Sequence, residues 1–321
     1  MKTRCRRCIL GVIIAISTVW SAGCAAPTKT RLFHAIRSGN VKEVKSILTL
    51  SPWLVKEREP RHGDTPLIEA VRNCRPQIVG VILAHGGDVH ERNNTGLTPL
   101  MVAALSGCDK VIPLLIKKGA IPNEHDRTEG LTPLHLAGGC PACIPILLSS
   151  GADPLARTNS GELPVHFAAS AQEPASLKLL LQAGSSPNAR DALGRTPLMN
   201  AVMPVVWRNT AKACVSLLLR HGADARLSDR FGKTVLHYVA SFPLARLRQE
   251  GGGAVFDLRE QERWRVEVAS VLIMAGADPS RKDTAGNTAA DIARSQGALQ
   301  LANLLKEESI KKRRVLHKPR R

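Results

Sequence analysis

Thr132-Pro133-Leu134-His135-Leu136-Ala137 is one copy of a phrase that returns along the chain. Upstream it reads Thr65-Pro66-Leu67 with Ala70, then Thr98-Pro99-Leu100 with Ala103-Ala104. Downstream it reads Leu163-Pro164-Val165-His166 with Ala168-Ala169, Thr196-Pro197-Leu198 with Ala201, Thr234-Val235-Leu236-His237 with Ala240, and Thr288-Ala289-Ala290-Asp291 with Ala293. Successive copies start 33, 34, 31, 33, 38 and 54 residues apart. A recurring period of this size means a stack of small units that bury their apolar faces against one another.

Each unit carries its own start and stop chemistry. A Thr hydroxyl can cap a helix, and the following Pro suits the first turn, where its missing N–H had no partner. About twenty residues on, a Gly permits the positive φ that ends a second helix, as at Gly86, Gly119, Gly151, Gly184, Gly222 and Gly276. Apolar stripes at helical spacing precede these stops, for example Ile78, Val79, Ile82 and Leu83. A polar loop with a second Gly, at 63, 96, 130, 161, 194, 232 and 286, joins each stop to the next start.

These residues resemble the ankyrin repeat family, over 31–306. Leu32-Phe33-His34-Ala35 with Gly39-Asn40 resembles its opening repeat, and Ala290-Asp291-Ile292-Ala293 through Leu304-Leu305 its closing one, about eight repeats in all. The resemblance implies an all-α solenoid of helix-turn-helix units with short hairpin-like loops, built for binding another protein rather than for catalysis. It places the binding surface on the loop tips and the concave face. Carried over by position, that surface takes in Asn94, Asn159, Arg230 and Phe231, with Arg92, Arg127, Arg157, Arg190 and Lys233 beside them. Such a basic row suits an acidic partner; a merely solvated rim is the alternative. The resemblance also gives His135, His166 and His237 a structural task, tying loop to helix.

Charge and the front of the chain bear on location. Of the net +18, the first 24 residues supply four and residues 306–321 a net six, leaving eight on the repeats. Residues 1–24 follow a secretory-signal layout: basic residues, an apolar run from Ile9 to Trp20, then small residues before Cys24. The run is short for a membrane span. Ala22-Gly23-Cys24 resembles a bacterial lipoprotein processing site, although Ser21 stands where an aliphatic residue is usual. The expectation is export, a lipid on Cys24 and, with Ala25 following, residence at the periplasmic side of the outer membrane. The alternatives are plain cleavage, or an uncleaved anchor on an intracellular regulator. A linker over 25–30 and a disordered basic tail over 307–321 complete the division.

Export would let disulfides persist. Cys74, Cys108, Cys140 and Cys143 fall in the inter-helix turns of three consecutive repeats, and Cys214 in a second helix. Three readings stand: a bridge between turns, such as Cys108 with Cys140; independent thiols; or half a zinc site at Cys140-Pro141-Ala142-Cys143, which lacks its second pair. Thiol exchange by the same pair is the enzymatic alternative, without the βαβ context such a motif needs. No phosphate loop, Gly-x-Ser-x-Gly elbow or His-Glu-x-x-His helix occurs, so no cofactor, metal, small-molecule substrate or nucleic acid is expected. Two longer units carry insertions, one with Trp207 and one over 242–263 ending beside Trp264. Both tryptophans are candidates for a binding patch.

Overall fold

The computed structural model describes residues 28–203, 210–241 and 258–316. Two compact units divide at Pro99. The leader over 1–24 with Cys24, together with Trp207, most of the 242–263 insertion and the last five residues, lies outside the described residues.

The first unit holds two helix pairs: α1 (Lys29–Ser38) with α2 (Val41–Leu50), and α3 (Pro66–Arg72) with α4 (Pro76–Ala84). A 3₁₀ turn, Pro52–Lys56, follows α2. First helix packs on first helix and second on second, α1 against α3 and α2 against α4, as a solenoid requires. Helix α1 begins at Lys29, two residues before the expected boundary, because the Thr28 side chain accepts from the Arg31 N–H and caps it.

Six pairs form the second unit. They are α5 (Pro99–Leu105) with α6 (Ile112–Lys117), α7 (Pro133–Leu136) with α8 (Cys143–Ser149), and α9 (Pro164–Ser170) with α10 (Pro174–Gln182). Then come α11 (Pro197–Ala201) with α12 (Thr210–Arg220), α13 (Val235–Ala240) with α14 (Leu258–Met274), and α15 (Ala289–Ser295) with α16 (Leu299–Leu316). The like-with-like packing recurs: α9 lies on α7 and α11, and α10 on α8 and α12. The core is distributed: Val165, Ala168 and Ala169 of one unit, then Leu177 and Leu180, are fully buried, and every other pair has its equivalents.

Two expectations change here. The tail from 307 is not disordered throughout, since α16 runs on to Leu316; its start is fixed by Ala302 N–H donating to Ala298 O, and Lys312 pairs with Asp278 at 3.0 Å. The end of the second insertion, 258–263, is helical too, forming the first turns of α14.

Loop tips, tie residues and the cysteine turns as the candidate site

The repeated phrase sets the loops. His135 Nδ1 accepts the Thr132 N–H at 3.1 Å, while Nε2 faces Glu162 O of the next loop at 3.1 Å. A carbonyl can only accept, so Nε2 carries the proton and the ring is neutral. His166 and His237 repeat this, joining Leu163 N–H to Ala189 O and Thr234 N–H to Asn287 O. Burial pulls the His135 pKa down to about 4, and lowers the other two. These rings are structural ties, as the family resemblance implies.

A buried side chain closes each of these loops, an acid at positions 191, 229 and 283, whereas Asn93 and Thr158 hold the equivalent place in two others. Asp191 Oδ1 accepts from Leu193 and Arg195 N–H, Asp229 Oδ1 from Phe231 and Lys233, and Asp283 Oδ1 from Ala285 and Asn287, all at 2.8–3.0 Å. Consecutive loops are then joined backbone to backbone. Asn159 N–H donates to Glu129 O at 2.8 Å, Ala192 to Ser160 O at 2.8 Å, Arg230 to Leu193 O at 2.9 Å, and Thr284 to Phe231 O at 2.9 Å. In the first unit Asn94 N–H donates to His62 O in the same way. Gly161, at φ +76°, lets the chain turn there; an added Cβ would stand 3.0 Å from Ala192 N.

The arginines expected to meet a partner divide into two groups. Arg157 is exposed, yet its Nη1 donates to Gly161 O at 2.7 Å and Arg190 O at 3.1 Å; Arg190 Nη1 likewise reaches Gly194 O and Ser228 O. Arg92 bonds Gly96 O at 2.7 Å, and Arg58, missed in the sequence because its loop is one residue longer, bonds Gly63 O and Arg92 O. These guanidinium groups tie loops together. Asn159 is similarly engaged, its Nδ2 donating to Thr128 O. Arg127 and Arg230 are exposed, and neither guanidinium makes such a bond among the described residues. Asn94 is exposed and Lys233 half-buried.

The tips themselves carry large apolar groups that composition alone hides. Leu193 is 40% and Phe231 51% exposed, at the same place in consecutive loops and held together by the Arg230–Leu193 backbone bond. Leu155 is exposed two residues before Arg157. Trp264 lies half-buried on α14 and, with Lys212, Arg263, Glu267 and Val268, lines a surface cavity of about 370 Å³. Arg265 beside it is wholly buried, and burial draws its pKa down to about 10.

Cys140 is bonded to Cys143, Cα to Cα 5.4 Å, within a single turn, rather than to Cys108 in the neighbouring turn. With one residue pair between them the two cysteines meet at the start of α8, where Cys143 N–H also donates to Cys140 Sγ. A disulfide leaves no thiolate for zinc. Cys74 and Cys108 are disulfide-bonded as well, and Cys214 is a free buried thiol whose pKa burial raises to about 12. No group of three or more His, Cys, Asp or Glu placed to hold a metal occurs among the described residues, nor any helix long and apolar enough to cross a membrane.

The human ASB11 ankyrin repeat domain is similar in fold, with a TM-score of 0.60 at 24% identity, covering 75% of this chain and 98% of that one. The ankyrin repeat domain of Bcl-3 is 26% identical with a TM-score of 0.50, over 85% and 97% of the two chains. Among curated proteins, E3 ubiquitin-protein ligase XBAT33 of Arabidopsis thaliana is 35% identical over 117 residues, 36% of this chain and 23% of its own length. The mitochondrial disaggregase of Bos taurus is 41% identical over 69 residues, 22% of this chain and 10% of its own. The chain thus spans about a quarter or less of these relatives, and what it shares with them is a run of repeats. Such repeats in general mediate contacts between proteins and are non-catalytic. The model for "Ankyrin repeats (3 copies)" matches residues 75–158 and 165–246, just over half of the sequence, and the chain belongs to the ankyrin repeat family.

Proposed function

We propose that this chain is a non-catalytic binding module which grips a partner protein by the tips of its second-unit loops. One observation carries the reading: Leu193 and Phe231, both large, apolar and exposed, project from loops whose backbones are bonded to each other. A few large side chains, aromatic ones prominent among them, carry most of the affinity of an interface. Arg127 and Arg230, exposed at the tips, would favour an acidic partner, chiefly by speeding encounter and selecting orientation. The test is capture of a partner by the wild-type chain and by Leu193→Ser/Phe231→Ser. The double variant keeps every backbone tie and should lose the partner; equal capture would move the site elsewhere.

The location we propose is the periplasmic side of a bacterial envelope, with a lipid on Cys24 and no nucleic acid among the ligands. Two features support it: the leader layout up to Cys24, and the disulfide-bonded state of Cys74, Cys108, Cys140 and Cys143, which suits an oxidising compartment. Metabolic labelling with a palmitate analogue should mark the wild type and not Cys24→Ala. An unlabelled wild type would exclude the lipid.

A further inference from the structure

The amino-terminal helix pair bears an apolar projection that its own packing does not use. Ser51, Leu54 and Val55 are buried and anchor the turn Pro52–Lys56, while Leu50, the last residue of α2, and Trp53 within the turn face outward, 68% and 66% exposed. Three positions apart, they can be separated by at most about 11 Å along the chain. Both project from a helix end and a turn whose neighbours Leu48, Ser51, Leu54 and Val55 are seated in the core.

The elements that carry this projection also bear exposed lysines. Lys42 and Lys45 stand exposed on α2, and Lys56 ends the turn, also exposed. The nearby carboxylates are already engaged, Glu43 with Arg31 at 2.8 Å and Glu57 with Lys29 at 3.4 Å. What remains is an exposed indole and leucine on the same helix and turn as three exposed lysines, with Glu43 and Glu57 already paired.

The Lys29–Glu57 pair adds a geometric constraint, because it holds the first residue of α1 against the residue that follows the Trp53 turn. Cys24 precedes Lys29 by five residues, so a lipid on Cys24 can be no more than about 18 Å of chain from that point. Such an anchor, if attached as proposed, would hold this end of the first unit near the membrane surface.

We propose that Leu50 and Trp53 seat in the headgroup region of a bilayer bearing anionic lipid, with Lys42, Lys45 and Lys56 around them, so that the first helix pair is docked on the surface. The proposal rests on the lipid-anchored reading for its geometry. Indole rings settle at the boundary between headgroup and acyl chain, and lysines extend their stems while keeping the ammonium among phosphates. The attraction to anionic lipid is screened by salt.

The test uses the processed chain as the cell makes it, mixed with phosphatidylcholine vesicles with or without phosphatidylglycerol, brominated near the headgroup end of the acyl chains. Tryptophan emission should be quenched more strongly with phosphatidylglycerol, and high salt should relieve that difference. Trp53→Phe should lose the quenched share, and Lys42→Glu/Lys45→Glu/Lys56→Glu should lose it with Trp53 in place. Equal quenching of wild type and Trp53→Phe would overturn the proposal. Palmitate labelling with no Trp53 quenching defeats the docked face alone; Trp53 quenching without labelling defeats the lipid alone.

Discussion

Acid should loosen the array through its buried histidines, and His135 gives the magnitude. In the fold its Nδ1 accepts from Thr132 N–H and its Nε2–H serves Glu162 O, so a second proton has nowhere to go without breaking the loop tie. The folded pKa is depressed to about 4 from 6.5, largely by burial. The sign follows from linkage: below pH 6.5 the unfolded chain binds a proton that the fold refuses, so this contribution is complete above 6.5 and falls away towards 4. At roughly 1.36 kcal/mol per pKa unit, the ring accounts for about 2 kcal/mol of lost stability between pH 7 and pH 5. The assay is urea unfolding at both pH values, for wild type and His135→Gln; the amide can both donate and accept but does not titrate. His166 and His237 remain in both chains, so the difference isolates one ring. A variant whose stability falls with pH as steeply as the wild type would refute the reasoning.

Other outcomes follow from single contacts. Gly161→Ala should cost about 1–2 kcal/mol from the left-handed backbone, and further from its 3.0 Å approach to Ala192 N. Gly184→Ala, with φ +97° and open space, should cost only the first part, as urea midpoints would reveal. Arg157→Ala should lower stability by about 1 kcal/mol by freeing Gly161 O and Arg190 O. Loss of partner capture without loss of stability would show that its charge, not its tie, matters. Native alkylation of Cys214 should be far slower than that of a free cysteine, since burial holds its pKa near 12; rapid labelling in mass spectra would contradict that.

Much of the fold was legible because its determinants are local. Thr65 caps α3 through its own hydroxyl, and Thr132 with His135 closes a loop within four residues, so spacing alone locates them. Pairing between turns is not local. Cys108–Cys140 and Cys140–Cys143 look equally feasible in sequence, and only the turn before α8 decides for the second. The arginines were visible as a basic row, but whether a guanidinium faces solvent or a neighbouring carbonyl depends on loop stacking. Arg58 escaped notice because an extra residue shifts it to five before Gly63. The helical run to Leu316 was hidden by charge: four consecutive basic residues read as an unpacked tail, whereas α16 continues through them from a start bonded within the stack. Phe231 was placed at a loop tip by its repeat position just before Gly232, as Leu193 is before Gly194, but how far each side chain stands clear of its neighbours depends on loop stacking.

The backbone bonds running from Glu129 through Ser160, Leu193 and Phe231 to their successors give the second-unit tips a common frame. Loops are ordinarily the parts of a protein that lose most freedom when something settles on them. Here that freedom was surrendered on folding, before any visitor arrives. The spacing between neighbouring fingertips is set by peptide geometry, so a partner seated there, as proposed, would need to match a ruler of fixed pitch rather than mould the loops to itself.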